Sequence, residues 1–194
     1  MPFKSKPRSA TPLSRRGFLK GFAAATVAGL YVPRSFANVT PIPHEHERSV
    51  ALHHLHTGEK VKLTYWEKGE YLSESLAEVN RILRDFRTNE EYPIDPVLLD
   101  MLHTLRLRSG REEAFEIISG YRSPKTNNML RSQSSGVAKR SLHMQGRALD
   151  IRLPGMALQD LHQAAKRLKV GGVGLYSKSD FIHIDTGRVR YWGS

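Results

Sequence analysis

The sequence predicts an α+β domain in which a mainly antiparallel sheet is flanked by helices. Three observations carry this expectation. Short segments of alternating apolar and polar residues, the strand pattern, occur near both ends of the chain beyond residue 49. Between them lie stretches whose apolar residues recur at intervals of three and four, the helical pattern. No regular strand–helix–strand rhythm links the two kinds of segment, which disfavours a doubly wound parallel sheet.

The elements follow in order. Residues 1–37 read as an export signal of the twin-arginine (Tat) type. Ser14-Arg15-Arg16-Gly17-Phe18-Leu19-Lys20 precedes an apolar run from Gly21 to Val32 that is too short to span a bilayer core of ~30 Å. Ser35-Phe36-Ala37 then resembles a cleavage site. A bacterial periplasmic protein that meets the Tat machinery is the expectation, and no later segment is apolar enough for stable membrane insertion. Residues 38–194 are expected to form a single domain, with 38–49 a flexible lead-in. Val50–Leu52 and Val61–Trp66 alternate around His56-Thr57-Gly58-Glu59 and predict a hairpin. Leu72, Leu76, Val79, Leu83 and Phe86 predict a helix over Tyr71–Arg87. Asp95-Pro96 offers an N-cap and a proline at the first helical position, Leu98, Leu99, Leu102 and Leu105 continue the stripe, and Gly110 ends it. A strand is expected at Phe115–Ile118, a helix at Ala157–Leu168 closed by Gly171-Gly172, and strands at Val173–Tyr176 and Phe181–Asp185.

Composition narrows the function. The 194 residues carry a net charge of +11, which at first suggests a nucleic-acid partner. Seven of the basic residues fall within residues 1–37, where there is no acidic one; the rest of the chain holds 23 basic and 19 acidic residues, or +4. That small excess, the export signal and the lack of a basic stripe interleaved with aromatics disfavour nucleic-acid binding. The chain has no cysteine, which excludes a disulfide scaffold, thiolate metal sites and a cysteine nucleophile.

Chemistry concentrates in Ser141-Leu142-His143-Met144-Gln145-Gly146-Arg147-Ala148-Leu149-Asp150. Alternation beyond Ala148 places Leu149, Ile151 and Leu153 toward a core and Asp150 on the opposite face. In Phe181–Asp185, Ile182 and Ile184 share one side and His183 and Asp185 the other. If the two strands are neighbours, Asp150 and His183 meet, and His143 folds over to join them after a glycine turn. Two imidazoles and a carboxylate make a three-ligand zinc site with an open fourth position. Alternation alone also fits ordinary histidines and a sheet-rim carboxylate.

A resemblance favours the metal. Ser-x-His-x-x-Gly-x-Ala-x-Asp is similar to the signature of the zinc D-Ala-D-Ala carboxypeptidase superfamily, which includes peptidoglycan endopeptidases and the hedgehog-like fold. Ser119-Gly120-Tyr121-Arg122-Ser123, Gly171-Gly172-Val173-Gly174-Leu175-Tyr176 and Phe181-Ile182-His183-Ile184-Asp185-Thr186-Gly187 match in order. Leu55–Glu59 and Arg190-Tyr191-Trp192 agree as well, so the likeness to the murein endopeptidase K branch covers essentially all of residues 38–194. The resemblance implies one Zn2+ per chain held by His143, Asp150 and His183, and hydrolysis of amide bonds in peptidoglycan peptide cross-links. It implies that Arg122 holds a substrate carbonyl or carboxylate. Ser141 either hydrogen-bonds substrate or shapes its turn. Relatives commonly place a carboxylate three residues before the last histidine, which makes Asp180 the first candidate for general base; Asp185, on the His183 face, is the second and alternatively orients a ligand. Trimming of a terminal D-alanine, and a zinc-bearing module without catalysis, are the competing functions. The histidine-rich stretch His44–His56 reads as an exposed polar segment rather than a metal tract. His103 and His162 read as packing or surface residues, and Arg106–Arg111 as a solvated helix end.

Overall fold

The computed structural model describes residues 46–134 and 136–193. The expected export signal, its Arg15-Arg16 pair and most of the expected lead-in lie outside these residues. Eight strands form one sheet: β1 (Glu47–His54), β2 (Lys60–Glu67), β3 (Glu70–Tyr71), β4 (Phe115–Ser119), β5 (Ala148–Arg152), β6 (Gly172–Tyr176), β7 (Phe181–Asp185) and β8 (Arg190–Trp192). Their spatial order is β3-β2-β1-β4-β5-β7-β6-β8. The pairings of β1 with β4 and of β6 with β8 are parallel and the rest antiparallel. With helices α1 (Ser73–Ile82), α2 (Pro96–Ser109), α3 (Pro124–Gln133) and α4 (Leu158–Leu168), this is the expected α+β, mainly antiparallel class. Among the described residues no helix is long and apolar enough to cross a membrane.

Local chemistry sets the helix ends. Asp95 caps α2 by accepting a hydrogen bond from the Val97 N–H at 3.1 Å, with Pro96 at the first position, and Gly110 closes it at φ 62°. Ser123 caps α3 by accepting from the Thr126 N–H at 3.2 Å. Helix α2 packs on β1 and on α4, and α4 packs in turn on β6 and β7. Leu98, Leu99, Leu102 and Leu105 of α2 and Leu161 of α4 are buried against Leu149, Ile151, Ile182 and Ile184 of the central strands. Each such side chain contributes roughly 1.5–3 kcal/mol through its burial. Because strand side chains alternate, this core on one face leaves Asp150 and His183 on the other.

Strands β3 and β8 and helix α3 are not among the expected elements, and four further features depart from the sequence reading. First, β1 begins at Glu47, inside the stretch expected as lead-in. Second, the helix expected to reach Arg87 ends at Ile82, and Phe86 stacks on the His56 ring at 4.0 Å. The cause is Asp85, which is buried. Its N–H donates to the Glu90 carbonyl, and its carboxylate accepts from the backbone N–H groups of Arg87 and Ser123, alternatives to the helix ladder. Third, α4 is closed by Lys169 in the left-handed conformation, not by Gly171-Gly172. Gly171 instead permits close approach, since a Cβ there would lie 1.7 Å from the Asp185 carbonyl oxygen.

The fourth departure concerns the histidine-rich stretch, which is not uniformly exposed: His54 is fully buried. Its Nδ1 accepts from the N–H groups of His56 and Thr57 at 3.3 and 3.4 Å, while Nε2 finds no partner among the described residues. Burial, reinforced by the neighbouring His56, pushes its pKa down to about 4. A histidine whose folded pKa lies below its unfolded value stabilises the fold fully above the unfolded pKa, and that stability is lost as pH falls. Unfolding free energy should therefore decline between pH 6.5 and pH 4 with an added slope approaching one proton. Urea titrations across this range should show a shallower decline for His54→Gln; an identical slope would contradict the assignment.

Candidate active site

The site forms where β5 and β7 lie side by side. Asp150 is directly opposite His183 in the antiparallel register, as the alternation of both strands anticipated. His143 comes from a 3₁₀ turn (Leu142–Gln145) ended by Gly146 at φ 63°, which turns the chain into β5. A Cβ on Gly146 would lie 2.0 Å from the Pro93 carbonyl oxygen, so the turn needs glycine both for conformation and for space. One ligand-type atom from each of His143, Asp150 and His183 lies within 4.8 Å of the others, the one such group of three among the described residues. His143 Nε2 is 3.3 Å from His183 Nδ1 and 3.3 Å from Asp150 Oδ1, and His183 Nδ1 is 2.9 Å from the same oxygen.

The outer nitrogens have their own partners. His143 Nδ1 donates to the Gly120 carbonyl at 2.8 Å, and His183 Nε2 donates to Asp185 Oδ2 at 3.1 Å. These bonds fix each ring so that its second nitrogen points inward. Burial holds His143 below the usual histidine range. For Asp150, burial alone would raise the carboxyl, but the two imidazoles overcome this and hold it below the ordinary carboxylate range. Burial works against charge on His183 too, yet Asp150 and Asp185 on either side raise it.

Asp185 is fully buried and saturated with donors. Its Oδ1 accepts from the N–H groups of Gly172 and Gly187 at 2.9 and 2.8 Å, and Arg190 reaches both oxygens at 3.1 and 2.7 Å. Burial alone would raise its pKa, but His183 first, then Arg190 and the two glycine N–H groups, hold it far below the ordinary range. Asp180 is placed differently. It ends the 3₁₀ turn before β7 in the left-handed conformation (φ 54°), its side chain is 64% exposed, and Arg152 donates to it at 2.8 Å. Arg152 stands two residues, about 7 Å, beyond Asp150 along β5, and Asp180 does not line the cavity over the three converging side chains.

That cavity, about 320 Å³, is lined by both basic and aromatic side chains. Arg122, Arg140 and Arg190 line it, as do Tyr176, Phe181 and Trp192. Trp192 packs over Gly174, where a Cβ would meet its ring at 2.3 Å, and lies 5.3 Å from the His183 ring. Arg122 lies between β4 and α3, with Nη2 3.7 Å from Asp150 Oδ2 and its buried Nε without a partner among the described residues. Leu83, Asp85 and His143 hold its segment in place. The Leu83 carbonyl accepts from the Tyr121 N–H at 2.8 Å, Asp85 accepts from the Ser123 N–H at 2.8 Å, and the His143 carbonyl accepts from the Arg122 N–H at 3.2 Å. Ser141 lines the cavity, and its hydroxyl does not cap the 3₁₀ turn.

Sequence reasoning missed Gly120 as a partner of His143, Arg190 as a partner of Asp185, the anchoring role of Asp85, and the aromatic wall. The Gly171-Gly172 doublet and the spacing of Arg190 from Asp185 were visible signals. Asp85 pairs across 38 residues and offers none.

Comparison with known proteins supplies the family. The family model described as peptidoglycan L,D-endopeptidase MepK matches residues 43–192. Peptidoglycan L,D-endopeptidase MepK of Escherichia coli (strain K12) is 42% identical over 180 residues, which span 92% of this chain and 97% of that protein. The probable peptidoglycan L,D-endopeptidase MepK of Haemophilus influenzae is 38% identical over 154 residues, 79% of this chain and 81% of that protein. Fold, site and relatives together define a peptidase. The chain belongs to the peptidoglycan L,D-endopeptidase MepK family, in line with the resemblance read from its motifs.

Proposed function

We propose that the chain is an exported zinc peptidase that hydrolyses L,D amide bonds in the peptide cross-links of peptidoglycan. The observation that carries the metal is the convergence of His143 Nε2, Asp150 Oδ1 and His183 Nδ1. With their outer N–H groups committed to Gly120 and Asp185, both imidazoles can turn lone pairs toward a carboxylate oxygen, a set of three electron-pair donors that suits a bound cation. Two nitrogens and one oxygen, with a cavity above them, suit zinc with an open position. The choice of peptidoglycan and of an L,D bond rests on the names of the relatives.

In this reading His143, Asp150 and His183 hold one zinc, which supplies Lewis acidity that polarises a carbonyl and makes water nucleophilic near neutral pH. Arg122, buried and already anchored through its backbone, holds the scissile carbonyl oxygen as negative charge develops there. Asp185 accepts from His183 and keeps that ring in its ligating orientation. Its oxygens are filled by donors, so it takes no part in proton transfer. Asp180 accepts the proton from water and returns it to the leaving amine. To do so its exposed side chain leaves Arg152 and turns toward the Asp150–His183 pair. Tyr176, Phe181 and Trp192 bound the cavity and limit water around the bond.

The test is digestion of purified cross-linked muropeptides by the zinc-loaded protein, with products identified by mass spectrometry. Cleavage of the L,D cross-link is expected. Release of a terminal D-alanine alone would make the protein a carboxypeptidase, and intact substrate would overturn the reading. Export follows the Arg15-Arg16 motif. Replacing both arginines with lysine should leave precursor in the cytoplasm, and unchanged periplasmic protein would contradict a Tat route.

A further inference from the structure

We propose that Arg140 is a specificity-determining residue that recognises a free carboxylate on the substrate beside the scissile bond. The inference rests on the peptidase reading above and names a substrate feature that reading leaves open.

The cavity holds more positive charge than amide hydrolysis requires. Three guanidinium groups line it, and Asp150, committed to the histidines, is its one carboxylate among the described residues. Two of the three arginines are already engaged. Arg190 grips both oxygens of Asp185 and lies over the Trp192 ring at 4.9 Å, so it is part of the frame. Arg122 is mostly buried, 3.7 Å from Asp150, and donates to Ser119 Oγ at 3.4 Å. Arg140 differs from both. It is exposed, and among the described residues its side chain makes no hydrogen bond or ion pair.

Its backbone is nevertheless anchored. Two residues earlier, the Ala138 carbonyl accepts from Nδ2 of Asn127, a buried residue of α3, at 3.2 Å. One residue later, Ser141 starts the 3₁₀ turn that carries His143. The chain at Arg140 is thus held on the cavity rim, a short stretch from the proposed metal ligands, and the guanidinium donors are uncommitted. A planar guanidinium offers paired N–H groups that match a carboxylate, and a neutral peptide segment presents no group that needs them. A peptide substrate can offer such a carboxylate from two sources, its chain end and an acidic side chain. The shared chemistry is a carboxylate on a flexible peptide.

The experiment compares wild type, Arg140→Gln and Arg140→Lys on one purified cross-linked muropeptide in three forms: all carboxylates free, only the C-terminal carboxylate amidated, and all amidated. For wild type, kcat/KM should fall about 10- to 100-fold on amidation, the range for a lost charge-assisted hydrogen bond, and chiefly through KM. The partially amidated form tells which source is read. Arg140→Gln should show the same loss on the free peptide and no further loss on amidation, and Arg140→Lys should recover part of it. Equal loss by Arg140→Gln on all three forms would reduce Arg140 to a structural role, and wild-type kinetics in that variant would overturn the proposal outright. Calorimetric binding of the free and amidated peptides to the metal-free proteins supplies a readout without hydrolysis. There Arg140→Gln should abolish the preference for free carboxylate; a preference that survives contradicts the proposal. Failure of zinc-loaded wild type to cleave any form, with that binding preference intact, would instead count against the peptidase reading alone.

Discussion

Asp180→Asn is expected to bind zinc as wild type does and to lose 10²–10⁴-fold in hydrolysis, the usual consequence of removing a general base, or roughly 3–5 kcal/mol of barrier. Asp185→Asn should behave in the opposite way. Asp185 contacts His183 Nε2, the N–H groups of Gly172 and Gly187, and Arg190, and an amide in its place keeps one acceptor oxygen but turns the other into an NH2 group that cannot accept from its partners. Metal affinity should weaken by ~10–100-fold, with activity recovered in excess zinc. The pair separates the two roles because the two carboxylates sit in opposite environments, one 64% exposed and one fully buried. A dead, zinc-loaded Asp185→Asn beside a fully active Asp180→Asn would reverse the assignment.

His183→Ala should remove metal and hydrolysis together while the fold survives. The truncation removes Nδ1 from the cluster and leaves His143 and Asp150, two ligands where zinc sites use three or more. It also leaves Asp185 buried with Arg190 and the glycine N–H groups as partners, so that carboxylate stays paired and the strand end stays anchored. The core face of β7, Ile182 and Ile184, is untouched. Circular dichroism should therefore match wild type. Retained cleavage by this variant would refute the site.

What the sequence made legible was periodic and local. Leu149, Ile151, Ile182 and Ile184 alternate with Asp150 and His183, and because strand side chains alternate strictly, the shared face followed once β5 and β7 were neighbours. Asp95-Pro96 and Gly110 marked α2 for equally local reasons. The less legible features depend on distant partners. Nothing near Asp85 announces that it will accept from Ser123, yet that bond ends α1 early and steadies the residue after Arg122. His54 lies in a stretch of polar histidines, and its burial is decided by β1 entering the sheet beside β4. Asp180 stands three residues before His183, an odd step that takes it off the His183 face, and its ion pair with Arg152 reflects a left-handed turn that spacing does not encode.

The proposed chemistry depends on His143, Asp150 and His183 forming a metal centre. Locating zinc by anomalous X-ray diffraction from crystals of the zinc-loaded protein tests it most directly. One strong peak per chain is expected, bounded by His143 Nε2, an Asp150 oxygen and His183 Nδ1, and absent from His183→Ala. A peak elsewhere, or zinc content unchanged by that substitution, would contradict it.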